Sequence, residues 1–168
     1  MKSNSYSIPK AEGFDRVLEI SSIAIVSAMI IVSVLLFSKL PETIPSHYNV
    51  VGEIDGYSGR ISVFILPIVC LLVVYLPLTI LQRFPNTYNF PVKVTEENAE
   101  ILYTMGVRVI RCLKLLAIII FALLLAETLL CAFNIQHGKF VFWILYGIDI
   151  TLFPLILVTG IKKMKRIG

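Results

Sequence analysis

Charge is what this sequence has least of. Asp, Glu, Lys and Arg make up 15% of its 168 residues, where a soluble domain carries about a quarter. Residues 61–81 hold no charge at all. Cysteine is scarce too: Cys70, Cys112 and Cys131 form no CxxC pair. That spacing suggests neither a disulfide framework nor a thiolate metal site. No P-loop, dinucleotide fingerprint or HExxH stands anywhere in the chain, which weakens the case for nucleotide chemistry or membrane proteolysis. There is no internal repeat and no low-complexity tract.

What fills the space is apolar, at 57% of residues and a mean hydropathy of +0.86. Four windows stand out, 17–37, 61–81, 115–136 and 140–161. Their only charges are Glu19, none, Glu127 and Asp149 in turn. Each is long enough to cross about 30 Å of hydrocarbon at ~1.5 Å per residue. The expectation is an all-α integral membrane protein in one domain, with transmembrane helices at about 17–37, 61–81, 113–136 and 140–161. The first window exceeds a signal-peptide core and no small-x-small site follows it, so it reads as a retained helix.

The Lys and Arg residues fall twelve on the side of the termini and the 82–114 segment, against Lys39, Arg60 and Lys139 opposite. This positive-inside bias places both termini in the cytoplasm and the 38–60 loop outside, in a bacterial cytoplasmic membrane. The net charge of +4 therefore reads as headgroup anchoring rather than nucleic-acid binding. Glu19, near Arg16, is expected to form an interfacial ion pair with it. Ser21, Ser22, Ser27 and Ser33 make no single stripe, yet small hydroxyl residues suit close helix packing. Pro67 and Pro77 predict kinks in the second helix. Thr95-Glu96-Glu97 reads as a helix start. Ile101, Leu102, Met105, Val109 and Leu113 then recur at helical spacing, opposite Glu97, Glu100, Thr104, Arg108 and Arg111. The expectation is an amphipathic cytoplasmic helix over 95–113, bending near Gly106 into the third span and able to dock a cytoplasmic regulator. Phe140, Phe142, Trp143 and Tyr146 predict an aromatic belt at the start of the last helix.

The 38–60 loop looks shaped rather than slack. Pro41 and Pro45 fix φ, while Gly52, Gly56 and Gly59 admit geometries closed to other residues. His47, Asn49, Glu53 and Asp55 offer imidazole and oxygen ligands, with Arg60 closing the segment. Zinc could take His47, Asp55 and one further carboxylate, although the spacing matches no zinc or calcium signature. His47 and Asp55 also suit a hydrogen bond that holds the loop, or an acid–base pair for which no nucleophile is evident. Glu127 and Asp149 form a second candidate. Both sit roughly 10–14 Å below the same surface if their helices are antiparallel, where two carboxylates would share a proton or hold a cation. A hydrogen bond to a helix-one serine, Thr128 or Tyr146 is the plainer alternative.

Leu40-Pro41, Ile44-Pro45, His47, Asn49, Gly52, Asp55-Gly56 and Arg60 together resemble a small bacterial membrane domain of unknown function. That domain also forms the N-terminal part of the SdpI-type immunity proteins. Tyr48 stands where Phe is usual and Arg60 where Lys is common. The stretch from Asn89 through Thr95-Glu96-Glu97-Asn98 to Arg111 resembles such proteins less specifically. The resemblance implies a helical membrane protein. In SdpI-type members, which continue into a longer helical region, it also implies protection from a secreted toxic peptide and capture of a repressor at the membrane. No catalytic assignment comes with it. The expected function is recognition of an extracellular peptide or envelope protein through 40–60, in an immunity-like, sensing or accessory role. A proton- or cation-coupled transporter using Glu127 and Asp149, and a metal-dependent enzyme using His47 and Asp55, are the rivals. Few polar groups in four helices would also permit oligomers.

Overall fold

The computed structural model describes residues 11–49, 51–135 and 140–167, with the backbone alone at 140–142, 145, 146, 148 and 149. Helix α1 (Phe14–Leu36) is extended by a 3-10 turn, Phe37–Lys39. Its buried residues are Asp15, Leu18, Ser22, Val26, Met29 and Ser33. Those steps of three and four trace one face of a helix. Two of the four serines lie on it, and Ser22 Oγ donates back to the Leu18 carbonyl at 2.7 Å. The remaining faces expose Val17, Ile20, Ile31, Val34 and Leu35, as a helix surrounded by lipid would.

The next helical run, α2 (Arg60–Leu81), changes pitch along its length. It begins as a 3-10 turn (Arg60–Phe64), becomes α-helical (Ile65–Val69), widens to a π turn (Cys70–Tyr75) and ends α-helical (Leu76–Leu81). The π turn stops just before Pro77, whose missing N–H leaves the preceding turn one donor short. The kink expected at this proline is thus expressed as a change of helical pitch.

Helix α3 (Ala99–Ala132) is 34 residues long, or about 51 Å. Its start is fixed by Thr95 and Asn98. Asn98 Oδ1 accepts from the Thr95 N–H at 2.8 Å and Thr95 Oγ1 accepts from the Asn98 N–H at 3.4 Å, the reciprocal geometry of a capping box. The helix expected over 95–113 begins at Ala99 and runs into the third span as one element, Ala99–Ala132. Gly106 marks a contact, not a joint, because a Cβ there would lie 2.9 Å from the Tyr88 ring and 3.0 Å from that of Phe90. The expected faces are also reversed in part: Arg111 is buried and Ile101 exposed.

Helix α4 (Phe140–Lys165) crosses α3 at Gly160, where a Cβ would come within 2.6 Å of Val109. The core runs through Val26 and Met29 of α1, Leu40 and Ile44, Val63 and Cys70 of α2, and Ile118, Leu125, Leu129 and Ala132 of α3. Three helical stretches, Phe14–Lys39, Arg60–Leu81 and Ala99–Ala132, are long and apolar enough to cross a membrane. The chain is a mostly helical membrane protein. The all-α expectation needs one correction, a two-stranded sheet between α1 and α2.

Candidate functional site

The segment between α1 and α2 folds into an antiparallel hairpin of β1 (Thr43–Tyr48) and β2 (Ile54–Gly59). Thr43 pairs with Gly59, Ile44 with Ser58, Pro45 with Tyr57, His47 with Gly56 and Tyr48 with Ile54. The register slips on either side of His47, which leaves Ser46 and Asp55 without an opposite residue. Such bulges bend and twist a ribbon and re-aim its side chains. Here they bring His47 Nδ1 into a hydrogen bond with Asp55 Oδ1. Ser58 Oγ donates to Ser46 Oγ at 2.9 Å. Pro45 is tolerated because both strands are edges. Gly56 is required by close approach, since a Cβ there would stand 2.9 Å from the Cβ of His47.

The tip is built by Asn49. Its Oδ1 accepts from the N–H groups of Val51 and Glu53, at 3.0 and 2.9 Å, and its Nδ2 donates to Glu53 Oε2 at 3.2 Å. Gly52 completes the turn at φ 78°, in the left-handed region that favours glycine. At the base, the Arg60 N–H donates to the Glu42 carbonyl at 2.9 Å. The Arg60 guanidinium lies 5.3 Å from the ring centre of Phe37, a cation–π distance. Pro41, exposed, leads into the strand from buried Leu40.

One side of this hairpin is seated on the helices. Ile44 is fully buried and Pro45 buried beside it, the isoleucine contributing about 1.5–3 kcal/mol of apolar burial. The Tyr48 hydroxyl is sealed from solvent beside Thr128, Cys131 and Glu127 of α3. Burial pushes its phenol well above the usual tyrosine range, with the charge of Glu127 acting the same way and the Thr128 hydroxyl opposing. Glu127 is itself buried and accepts from Cys131 Sγ at 3.5 Å. The loop and the intramembrane carboxylate, separate candidates in the sequence, therefore meet through Tyr48. The side chain of Asp149 lies outside the described residues, and so does its expected pairing with Glu127.

The other side is open. His47 and Asp55 have side chains 72% and 44% exposed, and Val51 and Tyr57 are exposed beside them. Among the described residues no three His, Cys, Asp or Glu side chains gather as metal ligands. His47 and Asp55 instead meet in the hydrogen bond suited to holding the loop, the alternative to the zinc set of His47, Asp55 and a further carboxylate.

A second polar centre, at the far end of α1 and α2, escaped the sequence reading. Asp15 accepts from Arg108 Nε at 3.0 and 3.2 Å and from Nη2 at 2.7 Å. Glu19 accepts from Lys114 Nζ at 2.7 and 2.9 Å and lies 3.5 Å from Arg111. Glu19 thus pairs across to α3, correcting the local pair expected with Arg16. Gln82 and Thr79 of the α2 end join the cluster through Arg111 and Lys114. This is why Arg111 and Lys114 are buried. The signal lay in the spacing: carboxylates four apart on one helix, and cations three apart on another, line matching faces.

Residues 24–71 match the model of a domain of unknown function, DUF1648. The match runs from within α1, through the whole hairpin, into α2. An uncharacterized protein of Archaeoglobus fulgidus is 36% identical over 64 residues, which cover 34% of this chain and 35% of that protein. The chain thus spans about a third of the relative it matches. No solved structure matches the chain. The sequence resemblance to a domain of unknown function is supported over these residues.

Proposed function

We propose that the hairpin is a recognition surface for an extracytoplasmic peptide or envelope protein, in an immunity-like or sensing role. The protein then sits in a bacterial cytoplasmic membrane with four spans, both termini inside and the hairpin outside. The Lys and Arg asymmetry, twelve against three, supports that orientation. One observation carries the reading: a hairpin fixed by Asn49, Gly56 and the His47–Asp55 bond, seated through Ile44 and Tyr48, presents His47, Val51 and Tyr57 outward. A tether between two helices needs no such construction. Ordering the surface before it meets a ligand lowers the entropic cost of binding. SdpI-type proteins, which the hairpin sequence resembles, suggest a toxic peptide as the ligand. Helix α3 connects the hairpin seat to the 95–113 end, where a cytoplasmic regulator would read the outcome.

The test is survival of a sensitive host challenged with membrane-active peptide toxins. Wild type should protect against at least one toxin, and a well-inserted His47→Ala/Asp55→Ala double variant should not. Equal protection by both would remove those residues from the site, and no protection across the panel would count against immunity. A second reading, cation or proton coupling, is favoured by one feature, the burial of Glu127 under Tyr48. It predicts proton flux in liposomes that is lost in Glu127→Gln.

A further inference from the structure

We propose that the ligand of the hairpin is an extended peptide, apolar at one end, that pairs as a third strand along β2 and lays its apolar end on α2. The assignment rests on the recognition role proposed above and gives the ligand its form.

The two edges of the hairpin are unlike. β1 carries Pro45, which has no N–H to offer, and it lies against α3. Proline and a covering helix are both devices that keep an edge from pairing. β2 has neither. It packs on β1 and on the first turn of α2, and among the described residues no third strand joins the sheet. Its one charged residue, Asp55, is turned onto His47.

The ladder decides which backbone groups face outward. The Arg60 N–H bonds across to the Glu42 carbonyl at 2.9 Å. Bonded and unbonded pairs alternate in an antiparallel ladder. Ile44–Ser58 is therefore a bonded pair, and Thr43–Gly59 and Pro45–Tyr57 are not. The N–H groups of Tyr57 and Gly59 and the Tyr57 carbonyl thus point away from β1. At the tip the Asn49 N–H bonds to the Glu53 carbonyl at 2.9 Å, which turns Ile54 outward by the same alternation. From Ile54 to Gly59 the edge runs about 17 Å, room for a strand of five or six residues.

The groove below gives the rest of the ligand. Ser58 and Gly59 of the edge also line an apolar groove of about 600 Å³ that continues along α2 past Ile61, Ile65 and Ile68. That is the size of a small-ligand site. A lipid chain can fill its lower part but brings no row of donors and acceptors to Tyr57 and Gly59. A peptide backbone brings both. Arg60 is exposed where edge and groove meet, and among the described residues no carboxylate pairs with it. An acidic residue at that point of the peptide complements it.

The test is hydrogen exchange at single amides of the full chain in phosphatidylcholine nanodiscs, with each synthetic peptide of the survival panel added in turn. At least one peptide should slow exchange at Tyr57 and Gly59 about tenfold or more and leave Ser58, already bonded to Ile44, unchanged. Gly59→Pro removes an outward N–H and no bond to β1. Its φ of −57° suits proline, and a Cβ there meets only the Glu42 carbonyl at 3.9 Å. The variant should bind that peptide about tenfold more weakly or worse, while Gly59→Ala, which keeps the N–H, should bind as wild type does. Tyr57→Pro should repeat the loss, which keeps the test usable if one variant folds poorly. Protection of the host by wild type with no slowing at Tyr57 would overturn strand addition and leave the recognition role standing. Neither protection nor slowing with any peptide would overturn both. Slow exchange at Tyr57 that needs no peptide and grows with protein concentration would overturn the proposal in favour of a second copy of the chain.

Discussion

Replacing Glu19 by Gln keeps the shape of the side chain and removes its charge. Lys114 Nζ would exchange the carboxylate that it meets at 2.7 and 2.9 Å for a neutral amide oxygen, and keep the Thr79 hydroxyl at 3.1 Å and the Tyr75 ring at 5.1 Å. Its side chain is 0% exposed, so water cannot take the place of the carboxylate. Removing one partner of a buried pair costs about 3–5 kcal/mol. The side chain of Glu19 is 25% exposed, which argues for the lower end, about 3 kcal/mol. For a chain of this size that is a Tm lower by roughly 6–12 °C. The assay is thermal unfolding in mild detergent. Glu19→Gln/Lys114→Met, with no unmatched ammonium, should recover most of the loss. A loss below about 1 kcal/mol, the size expected of an exposed pair, would refute the reasoning. So would a double variant as unstable as the single one.

Other expectations follow from the same contacts. Gly56→Ala drives a Cβ to 2.9 Å from that of His47, at a cost of about 1–3 kcal/mol; limited proteolysis should cut the hairpin faster while the helices stay intact. Gly160→Leu meets Val109, 2.6 Å from the position of its Cβ, and should loosen α4 from α3, read as weaker cross-linking between cysteines placed on the two helices. Tyr48 ionises near pH 10.0 when unfolded and well above that when folded, because it is buried. The folded chain then keeps a proton that the unfolded chain releases, so stability falls as pH rises past 10. Tyr48→Phe should flatten that decline in a series of Tm measurements at alkaline pH.

The apolar helices were legible because a span needs only length and absence of charge, and both are local. The hairpin was legible as order but not as strands. Its prolines and glycines announce a shaped segment, yet β1 contains Pro45 and β2 two glycines, which strand patterns reject. The contact of Tyr48 with the Glu127 region joins residues far apart in sequence, and nothing in either neighbourhood signals it. The charged centre was hidden by a rule that works on average. Counting Lys and Arg as headgroup anchors explains Arg16 and Arg83 but not Lys114, whose fully buried ammonium answers a glutamate on another helix.

The π turn at Cys70–Tyr75 has a consequence for how this chain tolerates length changes. A π turn holds one more residue than the α turn it replaces. Deleting a single residue between Cys70 and Tyr75 would allow an ordinary α-helix. The two halves of α2 would keep their phase, because the residue removed is the one the turn had absorbed, and Thr79 and Gln82 would still face Lys114 and Arg111. A residue removed from the α-helical stretch Leu76–Leu81 has no such reserve and would turn Gln82 by about 100° away from Arg111. The π turn thus stores one surplus residue while keeping the hairpin-facing half of the helix in phase with the half that faces the charges.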